Sequence, residues 1–283
     1  MTRRKKRRER ESAPPPRQHP QPRLVPAVCA CVALALALYW VSLRHPLVFD
    51  DRLLRDDFLR LYGASWFQFD LRWLSYSTFG WTYDVVGKQW LWHRLLNVLL
   101  HATTAALLFS FLARLFGAVL AAPADHGRLA ARWIACFGAL IFLLHPAAVY
   151  GVAYLVQRPI VLATLFSVLS LRLFLEGLLK QSQSWYYAAA AAYCAAVFSK
   201  EHAVMLPTVA AALAVLVRGP SVRLLRELAA PFALFAGIGM LVVLKSKGLL
   251  GAPYEPAAQE LLGQLRERGD SHHQQSLTRL RIS

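Results

Sequence analysis

The apolar residues of this chain are gathered into blocks, and nearly every block reaches the ~20 residues that a helix needs to cross the hydrocarbon layer of a bilayer. Backbone amides have no water to bond in lipid, so a spanning segment that satisfies its own hydrogen bonds as a helix is the direct solution. Blocks at residues 25–43, 90–116, 133–150, 159–175, 185–198, 203–217 and 228–244 predict about seven spans. The blocks at 185–198 and 203–217 are short, and read as a bent pair or a hairpin reaching one interface. Hydrophobic residues make up 57% of the chain, only 17% are charged and the mean hydropathy is +0.38, which excludes an ordinary soluble domain of 283 residues. The expected fold class is all-α, a polytopic transmembrane helical bundle over residues 25–245.

Much of the net charge of +16 sits in the run Arg3, Arg4, Lys5, Lys6, Arg7, Arg8 and Arg10, ahead of a proline-rich spacer and the first apolar block. A basic tail in that place sets orientation and touches anionic lipid, so the implied partner is the lipid bilayer and not nucleic acid. Residues 1–24 read as a disordered cytoplasmic tail, and 25–43 as an uncleaved signal anchor. Arg114, Arg128 and Arg132, then Lys180, then Arg218, Arg223 and Arg226 mark further internal loops. Residues 44–89 and a polar tail over 246–283 then fall outside. Cys29, Cys31, Cys136 and Cys194 lack the spacing of a zinc site or a disulfide framework and read as packing residues.

With that topology, ionisable residues converge on the outer face: Asp50 and Asp51 after the first span, His145 and Pro146 ending the third, Gln157 and Arg158 opening the fourth, and Lys200, Glu201 and His202 joining the fifth to the sixth. Asp50 and Asp51 read either as solvated loop acids or as half-buried carboxylates suited to general-base or metal-binding work. His93, Asn97 and His101 recur every four residues on one face of the second helix, for interhelical hydrogen bonding or for substrate contact. Arg158 suits a phosphate, which a guanidinium binds through two oxygens. Lys200 and Glu201 are either an interfacial pair or part of the same anion site.

Five pieces carry a resemblance from residue 48 to about residue 213: VFDDRLLRDD, RWLSYSTF with its Arg72, HRLLNVLLH, HPAAVYGVAYLVQRPIVLATLFSVLSL and FSKEHAVMLP. In this order the chain resembles the multi-spanning GT-C glycosyltransferases of the TMTC type and their bacterial relatives. The resemblance implies an enzyme of the inner membrane, with a cytoplasmic N-terminus and a periplasmic active site. It would take a sugar from a polyprenyl-phosphate carrier and place it, with inversion, on a protein hydroxyl or an envelope glycan. It further implies that Asp50 and Asp51 are the catalytic pair, that Arg158, Lys200 and Arg72 contact the donor phosphate, and that His93, Asn97, His101, His145, Gln157 and Glu201 line the substrate site. Some relatives of the wider class use a divalent metal ion at the acidic loop, for which two carboxylates alone are too few ligands to claim a site.

Members of that family continue with more membrane helices and often a repeat domain, so the polar segment after the seventh block carries the expectation of a truncated product. A rival reading from another class stands beside the enzyme: a lipid-carrier transporter, or a non-catalytic scaffold left by degeneration. Ionisable residues gathered at one surface, with no internal repeat, speak against the transporter.

Overall fold

The computed structural model describes residues 24–64, 67, 69–120 and 126–250. All but Leu24 of the tail expected over 1–24 and most of that over 246–283 lie outside the described residues, as does the side chain of Arg128. The helices are α1 (Leu24–Tyr39), α2 (Asp56–Ala64), α3 (Trp73–Val86), α4 (Trp90–Val119), α5 (His126–Leu144), α6 (Ala148–Val152), α7 (Arg158–Lys180), α8 (Gln183–Ser199), α9 (Leu206–Arg218) and α10 (Val222–Ser246). Short 3-10 turns at Val41–Arg44, Phe49–Leu53, Leu155–Gln157 and Glu201–Met205 join them, and among the described residues there is no strand.

Four segments are long and apolar enough to cross a membrane: Trp90–Val119, Leu155–Lys180, Glu201–Arg218 and Val222–Ser246. They coincide with the second, fourth, sixth and seventh expected spans. The other three blocks fold as helices too, of which α1 has 16 residues and α8 has 17. The block at 133–150 is not one continuous helix. Pro146 has no amide hydrogen to give and disfavours helical backbone at His145, so α5 stops at Leu144 and the chain turns into the five-residue α6. Pro159 and Pro207 instead sit in the first turns of α7 and α9, where a missing N–H costs nothing. Ser221 caps α10 by accepting a 3.2 Å hydrogen bond from the amide of Leu224.

The 30-residue α4, about 45 Å long, is the central post. It packs against α1, α5 and α7; α7 continues the bundle to α8 and α9, and α8 to α10. Gly177 lets α7 approach α8 closely, since a Cβ there would lie 2.5 Å from the Tyr186 ring. Tyr186, Tyr193, Phe174 and Phe235 fill the space between α7, α8 and α10. Outward, α5 shows Ile134, Phe137 and Ile141, and α9 shows Val209, Val215 and Leu216. In water these would be large apolar patches; against lipid they are the ordinary surface of a membrane protein.

The stretch 44–89, expected as a polar external loop, folds into the helix pair α2 and α3 over one end of the bundle. Phe58, Tyr62 and Tyr76 pack ring to ring, Tyr62 donates to Asp70 (3.2 Å), and Tyr83 and Lys88 both bond Asp56 (2.9 and 2.8 Å). The hydrogen bond from Lys88 pulls the Asp56 carboxyl below its usual range, and burial beside Asp70 pushes the Tyr62 phenol up. The helices touch where Gly63 meets Gly80: a Cβ on Gly80 would stand 2.3 Å from the Gly63 nitrogen. Backbone cannot swing aside as a side chain can. Gly80→Ala is expected to lower stability by about 1–3 kcal/mol, the usual cost of overpacking, read as a drop in the thermal midpoint of the detergent-solubilised protein.

Candidate functional site

Arg158, at the start of α7, is wholly buried, and its guanidinium is consumed by the protein. Nε donates to Asn97 Oδ1 (2.7 Å), Nη2 to the carbonyl of His93 (2.9 Å), and Nη1 makes longer contacts to the Thr78 and Thr82 hydroxyls (3.4 and 3.5 Å). Both threonines give their own protons back to α3, Thr78 to Ser75 O and Thr82 to Thr78 O, which leaves their oxygens free to accept. The Phe79 ring lies under the guanidinium at 3.8 Å. A residue expected to hold a donor phosphate is therefore a structural tie between α3, α4 and α7.

The polar stripe on α4 resolves the same way. Asn97 Nδ2 donates to Leu155 O (3.2 Å) and, at 3.5 Å, to Val152 O. His101 Nε2 lies 3.2 Å from Leu143 O, and His93 Nε2 lies 2.9 Å from Gly87 O. The carbonyls of Gly87, Leu143 and Val152 lie where helices end, while Leu155 O also accepts from the amide of Arg158. Arg94, inside the HRLLNVLLH piece but not singled out from sequence, does the same for Ala153 O (2.7 Å) and Pro46 O (2.9 Å). The stripe thus serves interhelical hydrogen bonding. His145 is exposed and only accepts from the amide of Ala147 (3.2 Å), and Gln157 is half-buried.

The acidic pair is split. Asp51 is fully buried: Oδ1 accepts from the Val156 amide (2.9 Å), Oδ2 from the Val48 amide (3.2 Å), and Oδ2 faces Arg94 at 3.7 Å. Asp50 is exposed, with its amide donating to the Tyr154 hydroxyl (2.8 Å). Burial and the nearby Asp50 carboxylate push the Tyr154 hydroxyl up, which keeps it protonated. Phe49, immediately before, has φ +46°, a strained position for a bulky residue, and is 81% exposed.

At the far end of α3, Arg72 and Glu201 form a two-pronged pair (3.0 and 2.5 Å), and Ser75 donates to the carbonyl of Ser199 (2.9 Å). Lys200, between those partners, is half-buried and makes no ion pair among the described residues. Burial, with Arg72 nearby, pushes its ammonium down. Helix α3 is therefore the element that joins the site: one end bonds the Ser199–Glu201 turn, its middle holds Arg158, and its last turn meets Asp56 through Tyr83. The sequence offered no periodic signal for this role, because its serines and threonines read as ordinary loop polarity. Among the described residues no three His, Cys, Asp or Glu side chains come together as a metal site.

No family model matches the chain, and no curated protein or solved structure matches it.

The two aspartates should behave oppositely when neutralised. Asp51→Asn strands the buried Arg94 charge and is expected to cost about 3–5 kcal/mol, while Asp50→Asn changes stability by less than about 0.5 kcal/mol. Thermal unfolding of the two variants in the same detergent separates them.

Proposed function

We propose that this chain is a membrane glycosyltransferase of the GT-C type that moves a sugar from a polyprenyl-phosphate carrier to a protein hydroxyl or an envelope glycan. With it go about seven membrane crossings, a cytoplasmic N-terminus and a reaction on the periplasmic face of the inner membrane. The five ordered sequence pieces support the family reading. The observation that carries the chemistry is Asp50: an exposed carboxylate beside a buried, fixed Asp51, at the end of the bundle that also holds Lys200, neither Asp50 nor Lys200 being in an ion pair among the described residues.

In this reading Asp50 takes the proton of the acceptor hydroxyl as its oxygen attacks the anomeric carbon. The bond from that carbon to the phosphate oxygen breaks, and the charge on the leaving polyprenyl phosphate is met by Lys200. Asp51 and Arg158 are positioning residues, since neither has a free group to offer. A second reading, a non-catalytic membrane protein, draws support from the same internal spending of Asp51, Arg158, Arg72 and Glu201.

Membranes carrying the chain are expected to incorporate label from polyprenyl-phosphate sugars into envelope protein or glycan. Asp50→Asn should reduce transfer by about 100-fold or more, as loss of a general base does, with insertion unchanged. Equal transfer by both would remove Asp50 from the reaction; no transfer by the inserted, folded wild type would favour the non-catalytic protein.

A further inference from the structure

At the opposite end of the α4–α7 pair lies a second charged layer that the proposed chemistry does not use. Glu176 on α7 is 3% exposed and is surrounded by three cations: Arg114 of α4 (Nε to Oε1, 3.0 Å), Arg172 (Nη1 to Oε1, 2.6 Å) and Lys180 (Nζ to Oε2, 3.1 Å). Three positive charges against one carboxylate leave the cluster at +2. Ser110 accepts from Arg172 Nε at 3.3 Å. Arg172 Nη2 and Arg114 Nη1 have no acceptor among the described residues.

The cluster is graded in depth. Exposure rises from 11% at Arg172 through 21% at Arg114 to 40% at Lys180, and from Arg172 to Lys180 the helix climbs about 12 Å. Lys180 lies over the Trp185 ring at 4.1 Å, and an aromatic ring beside a terminal lysine marks the depth of the headgroups. Uncompensated positive charge beside hydrocarbon is costly. The anion present at that depth in any bilayer with acidic lipids is the lipid phosphate, whose oxygens match the unused guanidinium donors.

We infer that Arg114, Arg172 and Lys180 bind the headgroup phosphate of an anionic membrane lipid, which neutralises the Glu176 cluster and clamps α4 to α7. The inference is independent of the glycosyl-transfer reading. Lipid and protein charge together form the second fastening of a helix pair whose first fastening is Asn97 with Arg158.

The test uses the full chain in phosphatidylcholine nanodiscs with and without phosphatidylglycerol, reading the thermal midpoint and the lipid retained in native mass spectrometry. In the variant Arg114→Gln with Lys180→Gln, the buried carboxylate keeps Arg172 as a neutral pair, so the bundle can still fold. The wild type is expected to be stabilised by phosphatidylglycerol and to retain it about tenfold more strongly than the double variant. A control, Arg223→Gln with Arg226→Gln, removes two exposed charges from the same end of the bundle without touching the cluster, and should keep the wild-type preference. Three results would overturn the site: an unchanged preference in the first variant, an equal loss in the control, or equal stabilisation by inorganic phosphate.

Discussion

A break in a helix leaves carbonyls without helical partners, and this chain breaks between α5 and α7. The carbonyls of Leu143, Val152 and Ala153 need donors, and that of Leu155, already met by the Arg158 amide, takes a second. One face of α4 supplies them with His101, Asn97 and Arg94. Asn97 then has its oxygen left for Arg158, and Arg158 reaches on to α3. The docking of the α2–α3 pair and the burial of Asp51 go with this chain of hydrogen bonds.

It follows that most of the charge at that end is structural. Asp51 neutralises Arg94 while holding the amides of Val48 and Val156, which fixes the strained turn at Phe49. A charge enclosed in this way cannot be lent to a substrate without opening the fold, and opening it would strand a buried cation. The groups this network leaves over are Asp50, which is exposed, and Lys200, which is half-buried.

The pairing of α4 with α7 is fastened at both ends, and the two fastenings differ in kind. Asn97 with Arg158 is sealed and internally satisfied; Arg114, Arg172 and Lys180 around Glu176 carry surplus charge and open toward the headgroups. Along α4 they lie about 25 Å apart, close to the thickness of the hydrocarbon layer. A parallel helix pair held this way resists sliding, and Gly177 against Tyr186 keeps the next helix in register.

What the sequence by itself determined is the class of element and the solvent it suits: long apolar blocks point to helices in lipid, and four segments are long and apolar enough to cross a membrane. It also determined where polar residues would gather, since ionisable groups next to apolar blocks are too costly to be scattered. Which of those residues are free was decided only by tertiary structure. Asp50 and Asp51 are adjacent and chemically alike, yet one turn of 3-10 helix points one outward and the other at Arg94. Arg158 reads from sequence as a phosphate ligand, because nothing local reveals that Asn97, His93, Thr78 and Thr82 will enclose it from residues 61 to 80 positions away. Helix α3 was hidden for the same reason: its short serine and threonine side chains acquire meaning only from the carbonyls and cations of other helices, and periodicity records the facing of one helix, not the identity of what it faces.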